Sequence, residues 1–215
     1  RTAGSRVQAG ALRTGEGIRR GGKQYESIHL ALAQGAAQEL AEKGYGDFSP
    51  EGVGARVGVS TRTVFRHYET KFALALAGIE TLPTYRGWLD AREPNETFAE
   101  RLRAGLRTGS EHLVLVAHIA ATALASQATQ PELIKALQEK VLAPRRKSIA
   151  KFLKEGQDAG AFRPNIRAEA LAAADLGVYM MVASGGLQQG RGETRVNRLF
   201  AFYWPLIATD AHLKD

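Results

Sequence analysis

Residues 49–71 read Ser49-Pro-Glu-Gly-Val-Gly-Ala-Arg-Val-Gly-Val-Ser-Thr-Arg-Thr-Val-Phe-Arg-His-Tyr-Glu-Thr-Lys71. Ser49 before Pro50 is an N-cap followed by a first-position proline, whose missing N–H has no helical partner to lose there. Glu51 sets a carboxylate in the first turn, against the positive end of the helix dipole. Val53 and Val57 repeat at four and make one apolar stripe. Gly58 ends this helix where a left-handed residue is cheapest. Ser60 offers a hydroxyl cap to a second helix, in which Val64 and Tyr68 again repeat at four. That stripe leaves Thr61, Arg62, Thr63, Arg66 and His67 largely to the other surface. Thr70 caps a third helix opening with Lys71, whose amides and ammonium can both meet a phosphate. From Arg56 to Lys71 the charges are Arg56, Arg62, Arg66 and Lys71 against Glu69 alone. Two short helices, a glycine turn and a basic, hydroxyl-rich face form a helix-turn-helix, which lays its second helix in the DNA major groove. Gly52 and Gly54 lie inside the first helix and each cost about 1 kcal/mol of propensity relative to alanine, so that helix is expected to be soft until packed.

On these residues the segment from Ile28 to about Leu76 resembles the DNA-binding domain of the TetR family of one-component transcriptional regulators. Gly44-Tyr45, Ser49, Ala55, Gly58-Val59-Ser60, Thr63-Val64-Phe65-Arg66-His67-Tyr68 and Lys71 occupy the positions of that family's pattern. Phe65 stands where the family usually has tyrosine, which removes a hydroxyl often used on a phosphate. The resemblance implies DNA contacts from Ser49, Ser60, Thr61, Arg62, Thr63, Phe65, Arg66, His67 and Lys71. Of these, Thr61, Arg62 and Thr63 lie in the first turn, which meets base edges. His67 and Lys71 match backbone-contacting positions. Arg62 has the fork that pairs bidentately with guanine, and it could equally lie on phosphate.

Composition agrees with a polyanionic partner. The 215 residues carry a net charge of +7, with an isoelectric point near 9.8. That length suffices for one sizeable core or two small domains. The absence of cysteine excludes disulfides, thiolate nucleophiles and cysteine-ligated zinc. Apolar stretches fall far short of the roughly 20 residues that cross a bilayer. Arginine and glycine run through residues 1–23 with no apolar core, unlike a signal peptide. The expectation is a cytoplasmic bacterial protein, nucleoid-associated when bound to double-stranded DNA.

Three regions are expected: a flexible basic arm at 1–23, the helix-turn-helix domain at 24–76, and a helical ligand-binding and dimerisation domain at 77–215. The arm holds Arg1, Arg6, Arg13, Arg19, Arg20 and Lys23 against Glu16. It lacks the apolar area to offset its ordering entropy. It is either a disordered leader or an arm reaching phosphates or the minor groove. Gly17, Gly22 and Lys23 fit part of a phosphate loop, but Gln24 replaces the magnesium-binding hydroxyl and no strand precedes it.

The rest reads as all-α. Helices are expected at about 25–43, 71–91, 95–108, 111–127, 131–160 with a kink at Pro144, 167–187 and 194–211. Small residues including Ala172 and Leu176 mark one late helix, and Phe200, Trp204 and Ile207 mark the last. The resemblance implies that this pair meets its two-fold copy in a homodimer, as a palindromic operator also requires. It further implies a small-molecule pocket enclosed by helices from about 95 to 187, whose occupation changes the spacing of the two DNA-binding heads. Trp88, Phe98, His118, Thr122, Tyr179, Met180 and Met181 are the polar or aromatic candidates for its lining. His118 and the methionines read equally well as core residues. The apolar run from Leu113 to Leu124 favours a hydrophobic or aromatic effector.

Catalytic residues, metal ligands and cofactors are not expected. Neither a nucleophile elbow nor a His-Glu-x-x-His motif is present. His112 and His118 are six apart, about 120° off a shared helical face. An all-helical enzyme and an effector-free architectural DNA-binding protein are the alternatives. The former lacks a converging acid, base or nucleophile set. The latter has no need of so large a C-terminal domain.

Overall fold

The computed structural model describes residues 14–84, 89, 95–185 and 192–213, with 14–21 as backbone alone. Their regular structure is helical: α1 (Thr14–Asp47), α2 (Pro50–Val57), α3 (Thr61–His67), α4 (Lys71–Glu80), α5 (Phe98–Ser110), α6 (Leu113–Ala125), α7 (Pro131–Leu137), α8 (Ala143–Asp158), α9 (Ala168–Ala183) and α10 (Glu193–Ile207). No strand occurs among the described residues. An isolated bridge from Phe162 to Ala208 pins the α8–α9 connection to the end of α10.

Most helices fall where the pattern places them, and the differences have local causes. α1 begins at Thr14 rather than near residue 25. Residues 22–27 are exposed and lie outside the hydrophobic core. Leu32, Ala36 and Leu40 fix the buried part, and the ladder then runs backward because elongation costs far less than nucleation. The part of the expected leader from 14 to 23 is therefore helical, while 1–13 lie outside the described residues. At Gly44 (φ 71, ψ 166) the helical path breaks, as the sequence predicts. α4 stops at Glu80 instead of continuing toward 91. Pro83 disfavours the helical region for the residue before it, and the Thr81 hydroxyl donates to the Gly78 carbonyl at 2.7 Å.

The long helix expected at 131–160 is interrupted as Pro144 implies, though not by a simple kink. Pro144 has no N–H to donate back to Lys140. Residues Gln138–Leu142 take up a π turn, and the Ala143 N–H reaches the Gln138 carbonyl five residues back. α5 starts under a reciprocal cap in which the Thr97 side chain accepts from the Glu100 N–H and Glu100 accepts from the Thr97 N–H.

The N-terminal and C-terminal helices share α1. On one side α4 crosses it so closely that a Cβ on Gly78 would lie 2.8 Å from the Ala37 nitrogen. On the other, Val116, Ile119 and Ala120 of α6 are fully buried, and the Thr122 hydroxyl donates to the Leu40 carbonyl at 3.4 Å. At the far end, Phe98, Phe152 and Phe162 pack with centroids 5.0–5.9 Å apart, and Trp204 meets Phe162 edge-on at 5.9 Å.

Candidate functional site

The N-terminal site is built from caps upward. Ser49 Oγ accepts from the Gly52 N–H at 3.0 Å and starts α2. Gly58 (φ 79, ψ 30) ends α2 in the left-handed conformation. Ser60 Oγ accepts from the Thr63 N–H at 3.2 Å and lies 3.0 Å from Thr63 Oγ1, starting α3. Three of the expected contact hydroxyls, those of Ser49, Ser60 and Thr63, are thus already engaged in shaping the motif. The glycines of α2 are there for space. A Cβ on Gly54 would lie 2.9 Å from the Val59 carbonyl oxygen and 3.2 Å from Val64, and one on Gly52 would strike the Glu39 carboxylate. The packed motif needs α2 to be this thin, which outweighs the propensity cost.

α3 turns Val64 and Tyr68 inward and leaves Arg62, Phe65 and Arg66 exposed, with Thr61 and Thr63 half-buried beside them. Phe65 is 45% exposed, an unusual position for a phenyl ring. Two basic residues of the motif stand off this face. Arg56 turns back on α1, pairing with Glu39 at 3.2 Å and Glu42 at 2.5 Å. His67 is 9% exposed, against its expected place on the outer surface. Its ring is drawn inward because Tyr25 stacks on it at 4.1 Å and His29 lies 5.7 Å away. Burial lowers its pKa, with further contributions from His29 and Arg66. Tyr68 stacks on His29 at 4.4 Å and donates its hydroxyl to the His29 carbonyl at 2.9 Å. Its burial, with a smaller effect of Tyr25, pushes the phenol up to about 12. Thr70 caps α4. Lys71 donates its ammonium to the Gly46 carbonyl at 3.0 Å and lies 4.9 Å above the Tyr45 ring.

Residues 32–77 match the family model for bacterial regulatory proteins of the tetR family. The chain carries the TetR-family DNA-binding domain. Solved structures of transcriptional regulators, two of them described as TetR proteins, share the fold over most of this chain. One from Chloroflexus aurantiacus J-10-FL has a TM-score of 0.63 at 20% identity, over 88% of this chain and 98% of that one. One from Rhodococcus RHA1 has a TM-score of 0.59 at 21% identity, over 83% and 93%. HlyIIR, a hemolysin II transcriptional regulator, has a TM-score of 0.61 at 13% identity, over 83% and 97%. At these identities the likeness is one of fold. No match is found among curated proteins. Among the described residues no helix is long and apolar enough to cross a membrane.

In the C-terminal helices of this TetR-like fold the expected pocket residues do not converge. Phe98 packs into the phenylalanine cluster, and Thr122 is spent on the Leu40 carbonyl. Tyr179 is buried, with Arg145 5.5 Å from its ring centroid. His118 and Met180 are half-buried, and Trp88 lies outside the described residues. The cavity between α5, α8, α9 and α10 is lined instead by Leu102, Leu106, Ile149, Phe152 and Leu171, closed by Asp175 and Tyr203. Asp175 anchors a buried network. Arg145 donates from Nε to Oδ2 at 2.5 Å and from Nη2 to Oδ1 at 2.8 Å, and the Tyr203 hydroxyl donates to Oδ1 at 2.8 Å. Burial and the Asp175 charge both raise the Tyr203 pKa, so its proton stays on the phenol. One sequence signal could have found this network: Asp175 is the only charged residue between Glu169 and Arg191.

The expected dimer residues also divide. Phe200, Trp204 and Ile207 are 8%, 3% and 1% exposed within a single protomer, so they belong to its core. α10 carries two apolar stripes, and the outer one is Ala201, Phe202, Pro205 and Leu206. On α9, Ala172 and Leu176 are half-buried, while Ala173, Gly177 and Met181 form the exposed row.

Proposed function

We propose that this TetR-family chain is a homodimeric transcriptional regulator of the cytoplasm, a repressor released from a palindromic DNA operator by a small hydrophobic or aromatic molecule. The observation that carries the reading is α3, a capped helix that buries Val64 and Tyr68 while presenting Arg62, Phe65 and Arg66 to solvent. Thr61, Arg62 and Thr63 serve base edges. Arg66, Lys71 and the amides at the starts of α2 and α4 serve phosphates. Phe65 gives apolar contact in the groove. His67 supports α3 from behind.

The dimer forms through the outer stripes of α9 and α10. Ala173, Gly177 and Met181 repeat at four along α9, and a Cβ on Gly177 would meet nothing within 4 Å. That leaves room for a second helix to approach closely. Phe202 and Leu206, 44% and 42% exposed, supply the apolar area beside it. The two heads then face successive half-sites of one operator.

The test is to sequence the DNA fragments that the protein retains from its own genome, then titrate the recovered site with candidate small molecules. The reading expects a palindromic motif shared by the fragments and release by one class of compound. Fragments without a common motif would overturn it.

A further inference from the structure

Three voids meet at the Arg145–Asp175–Tyr203 network. Asp175 and Tyr203 close the greasy cavity of about 20 Å³ described above. The three together line a second void of about 10 Å³. Arg145 and Asp175 also form the floor of a cleft of about 300 Å³ between the π turn, α8 and α9. The first two hold a water at most, whereas the third has room for roughly ten at the volume water takes in the liquid. A charged pair buried at the floor of a roomy cleft is a costly arrangement for structure alone.

The lining of the cleft defines what fits. Its cationic residues are Arg145 and Arg146, and its anionic residues are Glu169 and Asp175, so the charges balance. An organic anion would have to compete with Asp175 for Arg145, and an organic cation would have to compete with Arg145 for Asp175. Both exchanges leave a buried charge without its partner. A neutral head with a carbonyl oxygen accepts hydrogen bonds from guanidinium or from Gln138 without breaking the pair. Leu142, Ala172 and Leu176 offer the body of the ligand an aliphatic wall.

The π turn at the edge of the cleft also reaches α4, the helix that leads from the DNA-binding domain. Gln138 and Leu142, which line the cleft, bracket the π turn. From the same turn Lys140 pairs with Glu80, the last residue of α4, at 3.2 Å. A π turn holds one more residue than α-helical geometry needs and can shift register where a straight helix cannot.

We propose that this cleft is the effector site of the regulator, that it takes a small uncharged aliphatic molecule with a carbonyl head, and that its occupation is relayed through the π turn and Lys140 to α4. This rests on the regulatory reading above and replaces its broad class of hydrophobic effector with a defined one. Octanamide, octanoate and octylammonium share one tail and differ in head charge. Calorimetric titration of the full chain should show octanamide binding at least tenfold more tightly than either ion. Gln138→Trp, a substitution at an exposed position, should fill the cleft and abolish that binding. On the genomic site recovered above, Gln138→Trp should also weaken DNA binding without any added molecule. Gln138→Trp combined with Lys140→Met should recover most of the affinity. Equal binding of the three probes, no binding of octanamide, or octanamide binding unchanged in Gln138→Trp would overturn the site. Normal DNA affinity in Gln138→Trp, or no recovery in the double variant, would overturn the relay. Both failures presuppose a protein that still retains specific DNA. A protein that retains none fails the regulatory reading instead.

Discussion

The imidazole of His67, in the last turn of α3, stacks on the phenol of Tyr25 in α1 with centroids 4.1 Å apart. The recognition helix is thereby held to the leading stretch of α1 by rings rather than by aliphatic packing. His29 and Tyr68 extend the stack, and Arg66 is the neighbouring charge.

This stack should make the DNA-binding domain acid-sensitive. An unperturbed imidazole titrates near about pH 6.5, and His67 lies below that in the folded chain. A lowered value means that the folded state prefers the neutral ring. The stability it contributes is complete above about pH 6.5 and is lost as the pH falls from there through the folded pKa. Melting followed between pH 7.5 and 5 should show a smaller loss for His67→Phe than for the parent chain. Identical pH profiles would mean that His67 does not titrate with folding.

Arg62→Ala should relax preference at one symmetric pair of operator positions. A bidentate arginine–guanine contact is worth about 1–3 kcal/mol of discrimination. Lys71→Ala should weaken every sequence roughly alike, because a phosphate contact carries no base identity. Selection from a random DNA pool separates the two, and an unchanged motif for Arg62→Ala would place that residue on the backbone.

Deleting residues 1–22 should leave the fold intact, since the deletion retains Tyr25, the residue of this stretch that stacks on His67. If the basic stretch meets phosphates, affinity should fall on all sequences equally and the salt slope should flatten. Unchanged binding at low salt would leave it a solvated leader.

For the dimer, Phe202→Glu together with Leu206→Glu should give folded monomers by sedimentation. Trp204→Glu, by contrast, would place a charge in the protomer core and should lower the melting temperature steeply, by the equivalent of about 3 kcal/mol or more. A double variant that sediments as the parent does would move the interface to another face.

Gly54→Ala should destabilise the helix-turn-helix, although alanine is the better helix former. The added methyl has only 2.9 Å to the Val59 carbonyl, and overpacking of that kind costs about 1–3 kcal/mol. A melting temperature at or above that of the parent would show that α2 can shift aside.

The caps and stripes of residues 49–71 were legible because they are local: Ser49, Gly58, Ser60 and Thr70 act within four residues of themselves. The inward turn of His67 was not, since its partners Tyr25 and His29 lie about forty positions earlier. Apolar character marked Phe200, Trp204 and Ile207 for an interface but could not say which face of α10 meets its own protomer, and these three lie in the core while Phe202 and Leu206 face out. The Asp175 network was missed for a related reason. Aromatic and sulfur-bearing residues drew attention, while the network turns on Asp175, a small acid whose meaning depends on Arg145 thirty residues away.

The absence of a side chain at Gly78 decides how the two parts of the molecule can move. Where α4 crosses α1 the backbones themselves touch, a Cβ there having only 2.8 Å to the Ala37 nitrogen. Elsewhere a layer of side chains lets two helices slip past each other by changing rotamers, but here there is no layer to shear. A displacement applied at the Glu80 end of α4 is therefore passed to the α1 backbone at this crossing rather than absorbed by side chains. On the regulatory reading proposed above, a signal from the helical domain would re-aim a fully formed recognition helix, and no part of the head would have to unfold to let go of DNA.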